Sequence, residues 1–232
     1  MQELRQIVDS IKKHTSFKRL AAYSIQSLNK KVSPPTTSWT TAALDAFDCG
    51  ASTALSVLIE RNCKDSEIQS LVFISLQSMA AVGLGGSLLS DGTVAACVRA
   101  FGEYFAAAEV PGLREGLSKG LVSNVTGSYI LGGPDVESVG VTESFLRFLA
   151  SVMAQAYGDA AALGDGGCTN LLLTNNFLPH GLPTPSSLRS AYIVLDSLAR
   201  TEAGVEAICA IPSALGKILE GASTLYTSTE MS

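Results

Sequence analysis

Cys168 and His180 are the best-placed pair in the sequence for nucleophilic catalysis. They lie in one Gly- and Asn-rich stretch, and a histidine beside a cysteine can accept the thiol proton and leave a reactive thiolate. We keep this pair as an enzymatic alternative to the more common case of two unrelated loop residues. Cys97 and Cys209 lie in apolar segments with helical spacing, where we expect both to pack as small hydrophobic side chains.

The glycine-rich stretches lack the companion residues that nucleotide binding needs. Gly83 and Gly85 begin the spacing of a dinucleotide-binding loop, but Leu88 occupies the position of its third glycine. The stretch GDGGCTN lacks the lysine and the hydroxyl group at phosphate-loop spacing. Because the chain holds only two histidines, a metal site built from several histidines is excluded. We therefore expect no catalytic residue, no cofactor, no metal ion and a non-enzymatic function.

The composition predicts a folded helical protein. Hydrophobic residues make up 47% of the 232 residues, charged residues 16% and aromatic residues 6%, a mixture that suits closely packed helices. The formal net charge of −5 argues against nucleic-acid binding through bulk electrostatics. Five cysteines without a CxxC pair indicate a reducing compartment. With neither a secretory leader nor a long uninterrupted apolar run, we expect a cytoplasmic chain without a transmembrane segment.

Basic residues are concentrated at the N-terminus. Residues 1–31 hold seven basic residues against two acidic ones, whereas the remainder is acidic. Leu4, Val8 and Ile11 recur at helical spacing, which predicts an amphipathic helix with a basic face within residues 1–16. We favour a solvated face, with peripheral contact to an acidic partner or an anionic membrane as the alternative.

Two short patterns recur along the chain. The first is a helix of the type A-x-x-x-L-x-(N/S)-(L/I), found at Ala21–Leu28, Val72–Met79, Ser118–Val125 and Ala191–Leu198. The second is a small residue at which the chain breaks before an apolar helix, found at Gly50, Gly92, Gly140 and Ala210. Since one helical hairpin cannot bury its own apolar face, such copies must stack on one another.

These repeats resemble the armadillo repeat family. The resemblance implies an all-α fold, a right-handed α-solenoid of about four armadillo-like repeats over residues 17–222, followed by a polar tail at 223–232. An insertion at 158–185 interrupts it, and we expect the apolar LLLTNNFL within it to pack back onto the chain.

In armadillo proteins the third helix of each repeat lines a concave groove, whose asparagine column hydrogen-bonds a bound peptide. Carried over by register, that column is Ser27, Ser78, Asn124 and Ser197. One turn earlier stand Tyr23, Ile74, Gly120 and Ile193, and Arg189 and Arg200 supply polar ends. The import receptors of this family place tryptophans at the earlier positions, so their absence argues against nuclear import.

The resemblance predicts a protein-interaction scaffold or adaptor that binds a segment of a partner protein in the groove. A regulator of a small GTPase or chaperone, acting as an exchange factor or co-chaperone, is the alternative. Exposed apolar surface at an incomplete end of such a fold would favour self-association.

Overall fold

The computed structural model describes residues 2–107, 135–154, 172–173 and 185–229, and every regular element in these ranges is helical. The helices are α1 (Gln2–Lys13), α2 (Lys18–Val32), α3 (Trp39–Asp48), α4 (Ala51–Arg61), α5 (Ser66–Met79), α6 (Gly85–Ser90), α7 (Thr93–Ala107), α8 (Asp135–Met153), α9 (Pro185–Ala199), α10 (Glu202–Cys209) and α11 (Ala214–Thr229). A π-helical turn at Ala80–Leu84 joins α5 to α6. The predicted all-α class is thus confirmed for the described residues.

The helices pack in two series. In the first series, α2 packs against α5, α5 against α8, and α8 against α9, and we call these four helices the helix ladder. In the second series, α1 packs against α4 and α4 against α7. Helices α10 and α11 both contact α9, the last helix of the ladder. Within the ladder, helices that pack side by side therefore come from distant parts of the sequence.

An aromatic cluster joins α5, α7 and α8. The rings of Phe101 and Phe145 stack with their centroids 4.1 Å apart, and the Phe73 centroid lies 5.2 Å from that of Phe145. Phe148 stacks on Phe73 from the next turn of α8. All four side chains are fully buried, and aromatic side chains of this size contribute most of the hydrophobic stabilisation at such a junction. The cluster fixes α8 beside α5.

Two of the predicted breaks are left-handed glycines. Gly50 has φ +80° and precedes α4, and Gly92 has φ +81° and precedes α7, a backbone region that other residues enter at a cost. The predicted break at Gly140 is wrong, because this glycine lies inside the continuous helix α8. A glycine in a helix interior costs only about 1 kcal/mol, which the packing of α8 between α5 and α9 offsets.

The amphipathic character predicted for the first helix is confirmed. Leu4, Val8 and Ile11 are buried, whereas Arg5 and Lys12 are exposed. The buried face of α1 packs on both α2 and α4, so this helix shares the hydrophobic core of the helices that follow it.

The two cysteines expected in the core have different environments. Cys97 is fully buried in α7, and burial raises the pKa of its thiol. The expectation for Cys209 is wrong, because this thiol is exposed at the end of α10. Helix α10 turns Gly204 and Ile208 toward the core, and Cys209 follows on the opposite face.

One segment, Ser66–Ser90, is long and apolar enough to cross a membrane by length and composition alone. The sequence pattern predicted a chain without a transmembrane segment. Half of the most apolar window of Ser66–Ser90 is buried inside the protein, as in the core helix of a globular domain. The segment also buries Gln69, Ser75 and Ser78. Helices α3 and α4 pass the same test only as a pair bent by 76°.

The described part of the predicted insertion packs inward. Leu172 and Leu173 are fully buried within the hydrophobic core, and the Lys217 ammonium of α11 donates a hydrogen bond to the Leu173 carbonyl oxygen. These contacts agree with the expectation that LLLTNNFL packs onto its own chain.

Candidate functional site

The helix ladder presents one exposed face, which carries three of the predicted apolar groove residues. Tyr23 in α2 is 70% exposed, Ile74 in α5 is 37% exposed and Ile193 in α9 is 41% exposed. In each helix the residues two positions later and two positions earlier are buried, so this position faces solvent between two buried ones. The helices are held in place by their other faces, which leaves these side chains available to a ligand.

The predicted serines lie one turn further along the same helices. The hydroxyl groups of Ser27, Ser78 and Ser197 donate to the backbone carbonyl oxygens four residues earlier, at distances of 2.9, 3.1 and 2.9 Å. Ser78 and Ser197 are buried, whereas Ser27 is half-buried. Because Ser78 and Ser197 are buried and their hydroxyl protons are used within their own helices, only Ser27 of these three serines offers acceptor lone pairs to a ligand.

Helix α8 supplies a fourth serine with this bond, and the sequence pattern did not predict it. Ser151 Oγ donates to the carbonyl oxygen of Arg147 at 2.9 Å, the same bond that the other three serines make. Arg147 is exposed, and the residues on either side of it in α8 are buried. The residues on either side of Tyr23 in α2 and of Ile74 in α5 are buried in the same way. Arg147 and Ser151 thus occupy the places that the register gave to Gly120 and Asn124. The segment Ser118–Val125 lies outside the described residues.

A signal for α8 was present in the sequence. The run FLRFLASV at 145–152 fits the recurring pattern once phenylalanine is accepted in place of the first alanine and valine in place of the final Leu or Ile. The predicted break at Gly140 placed this copy of the pattern in the segment before it instead.

Polar side chains fix the spacing between ladder helices. Asn29 of α2 donates through Nδ2 to the carbonyl oxygen of Leu71 at 3.1 Å and accepts from Ser75 Oγ at 2.5 Å, both in α5. Ser33 and Ser78 share a hydrogen bond of 2.9 Å across the same pair of helices. These bonds need the correct register of α2 on α5, so they set the positions of Tyr23 and Ile74 relative to each other.

Charge is distributed unevenly over the ladder face. On α2, Arg19 and Lys30 are exposed and make no ion pair with any residue of the described ranges. On α9, the Arg200 guanidinium binds the Asp196 carboxylate at 2.7 Å, and on α8 Arg147 pairs with Glu143. The predicted polar residue Arg189 is exposed on α9. The face is therefore basic at its α2 end and closer to charge balance at α8 and α9.

Cys168 and His180, the pair considered for catalysis, both lie outside the described residues. Within the described ranges, no group of three or more His, Cys, Asp and Glu side chains is placed to hold a metal ion. The Glu103 carboxylate raises the pKa of the Cys63 thiol, and burial adds to the shift. A raised pKa keeps a thiol protonated near neutral pH, which is the opposite of what a nucleophile needs.

Comparison with models of known protein families, with curated proteins and with solved structures gives no match for this chain. The armadillo resemblance therefore rests on the residue pattern alone.

Proposed function

We propose that the chain is a non-enzymatic scaffold or adaptor with an armadillo-like solenoid, and that the ladder face binds a segment of a partner protein. One observation carries the proposal: four adjacent ladder helices repeat the same exposed position followed by the same hydroxyl-to-carbonyl bond. Equivalent positions on neighbouring helices suit an extended ligand that contacts each helix in turn.

The chemistry of the face favours an apolar or mixed segment. Tyr23, Ile74 and Ile193 supply exposed apolar area, and removing such area from water is favourable by about 25 cal/mol per Å² before the entropy cost of association is subtracted. Arg147 stands between Ile74 and Ile193 in the order of the ladder, where its guanidinium can donate to carbonyl oxygens of a bound backbone. The basic residues of α2 favour an acidic residue at that end of the ligand.

Affinity capture from a lysate of the source cells tests this proposal. The bait proteins are the wild type, the double variant Ile74→Arg/Ile193→Arg, and Val57→Arg as the matched control. Val57 is 40% exposed on α4, in the other helix series, so its exposed fraction equals that of the two test residues while its location differs. We expect the double variant to lose at least one partner that the wild type and the control both retain.

Circular dichroism of the three proteins separates loss of binding from loss of folding, since exposed substitutions leave helical content unchanged. If the double variant keeps every partner of the wild type at equal yield, the ladder face is not the binding surface. If Val57→Arg loses the same partners, the added positive charge explains the loss wherever it is placed, and this outcome also contradicts the proposal.

A further inference from the structure

The α2 end of the ladder carries a contiguous apolar stripe with basic neighbours. Leu20 is 49% exposed and Tyr23 is 70% exposed, and residues three apart in a helix are neighbours on its surface. Phe17, which precedes the helix, extends the stripe and is 63% exposed. Arg19 and Lys30 lie on the same exposed side of α2. We call these five residues the basic end surface.

The opposite end of the molecule carries an apolar stripe with acidic neighbours. Leu215 and Leu219 stand one turn apart on α11 and are 68% and 70% exposed. On α10, Val205 is 43% exposed between the exposed carboxylates of Glu202 and Glu206. Within the described ranges, neither carboxylate makes an ion pair. We call these five residues the acidic end surface.

We propose that these two surfaces bind each other between copies of this chain, so that the protein associates head to tail. Each surface leaves large aliphatic or aromatic side chains in water, which is unfavourable for a free chain and typical of an interaction site. The two surfaces also match in charge, since the uncompensated groups are cations at one end and carboxylates at the other.

The two surfaces cannot satisfy each other within one molecule. Helices α5 and α8 lie between α2 and α9 in the packing order, and α10 and α11 pack onto α9. A contact between unlike surfaces is heterologous, so it leaves one free surface of each kind on every dimer. Association therefore continues to longer oligomers or closes into a ring, and it does not stop at a symmetric dimer.

Sedimentation velocity of the purified chain over a roughly hundredfold concentration range tests this inference, because head-to-tail association is driven by mass action. The wild type should shift to larger species as concentration rises. The charge-reversed variants Arg19→Glu/Lys30→Glu and Glu202→Lys/Glu206→Lys should each remain monomeric, because each variant brings like charges together at every contact. An equimolar mixture of the two should associate again, because every contact between unlike variants pairs opposite charges.

Lys12→Glu/Lys13→Glu is the matched control. It changes the net charge as much as Arg19→Glu/Lys30→Glu does, at exposed positions of α1 outside both surfaces. The control should associate like the wild type. A wild type that stays monomeric throughout, charge-reversed variants that associate unchanged, or a mixture that stays monomeric while the wild type associates would each overturn the inference.

The exposed thiol of Cys209 gives a second readout. It lies one helical turn after Val205 on the same face of α10, beside the residues of the acidic end surface on that helix. Alkylation of Cys209 should slow as the wild type associates and should be independent of concentration in the two charge-reversed variants. A rate that does not change with association of the wild type would place the contact elsewhere and contradict the inference.

Discussion

Asn29 holds α2 against α5 through both ends of its amide group. Its Nδ2 donates to the Leu71 carbonyl oxygen and its Oδ1 accepts from Ser75. Replacement by alanine removes both bonds, and we expect Asn29→Ala to lower the free energy of unfolding by about 1–3 kcal/mol. Urea denaturation measures this change. Gln26→Ala, at an exposed position of the same helix, is the control and should change stability far less.

Asn29 is also a residue whose role the sequence did not reveal. It follows the recurring pattern of α2 directly, where α5 has Ala80 and α9 has Ala199, so no repetition singles it out. A partner 42 residues away in sequence becomes visible only when α2 and α5 are packed side by side.

The pairing of Cys63 with Glu103 predicts a pH-dependent reactivity. The Glu103 carboxylate favours the protonated thiol over the thiolate and so raises the pKa of Cys63, and burial adds to the shift. Glu103→Gln removes the negative charge, so the pKa falls and the thiolate fraction near neutral pH rises. We expect Cys63 in this variant to be alkylated several times faster than in the wild type.

Mass spectrometry of the labelled peptides measures the rate at Cys63, with Cys209 in the same sample as an internal reference. Glu67→Gln, an exposed charge removal at the start of α5, serves as the control and should leave the Cys63 rate unchanged. A Cys63 rate that is equal in all three proteins would show that Glu103 does not govern the thiol.

At the scale of elements, the contact between α9 and α10 depends on a glycine. A Cβ atom at Gly204 would lie 2.0 Å from the carbonyl oxygen of Leu198, a backbone atom that cannot move aside alone. We therefore expect Gly204→Ala to destabilise the protein by about 1–3 kcal/mol. Gly216, in α11, has open space around its Cβ position, so Gly216→Ala should stabilise the protein by up to about 1 kcal/mol. Thermal unfolding of both variants measures the contrast, and equal shifts would argue against the packing of α10 on α9.

The aromatic cluster tests the position of α8. Phe73 contacts Phe145 and Phe148 of α8, and it is fully buried. Phe73→Ala removes these contacts and leaves a cavity, which we expect to cost about 3–5 kcal/mol. Phe17→Ala is the control, because Phe17 is 63% exposed and its loss should cost little. Urea denaturation that showed equal losses for both variants would contradict the placement of α8 beside α5.

The sequence predicted those elements whose signal is local. The amphipathic spacing of α1 and the glycines before α4 and α7 are local features, and the structure contains each of them as expected. The break at Gly140 failed because a glycine interrupts a helix only where tertiary packing does not hold it together. The exposed positions Tyr23, Ile74 and Ile193 follow from helical periodicity, whereas the roles of Arg147 and Ser151 required knowing which helix lies between α5 and α9.

In the whole molecule, the packing order of the helices produces both the ladder face and the two end surfaces. Stacking α2, α5, α8 and α9 side by side gives a face on which equivalent residues repeat, and it also leaves two unlike ends. The face and the basic end surface share Arg19, Tyr23 and Lys30, whereas Ile74 and Ile193 belong to the face alone, so a ligand at Ile74 and Ile193 leaves the acidic end surface open. Partner binding and head-to-tail association are therefore separable by mutation.

Site-specific photo-crosslinking in the source cells tests the central claim, that the ladder face binds a partner protein. A photoreactive amino acid is placed at Ile74, at Ile193 or at the control position Val57, one at a time. We expect Ile74 and Ile193 to form covalent adducts with the same partner and Val57 to form none with it. Adducts of equal yield from all three positions, or from Val57 alone, would contradict the claim.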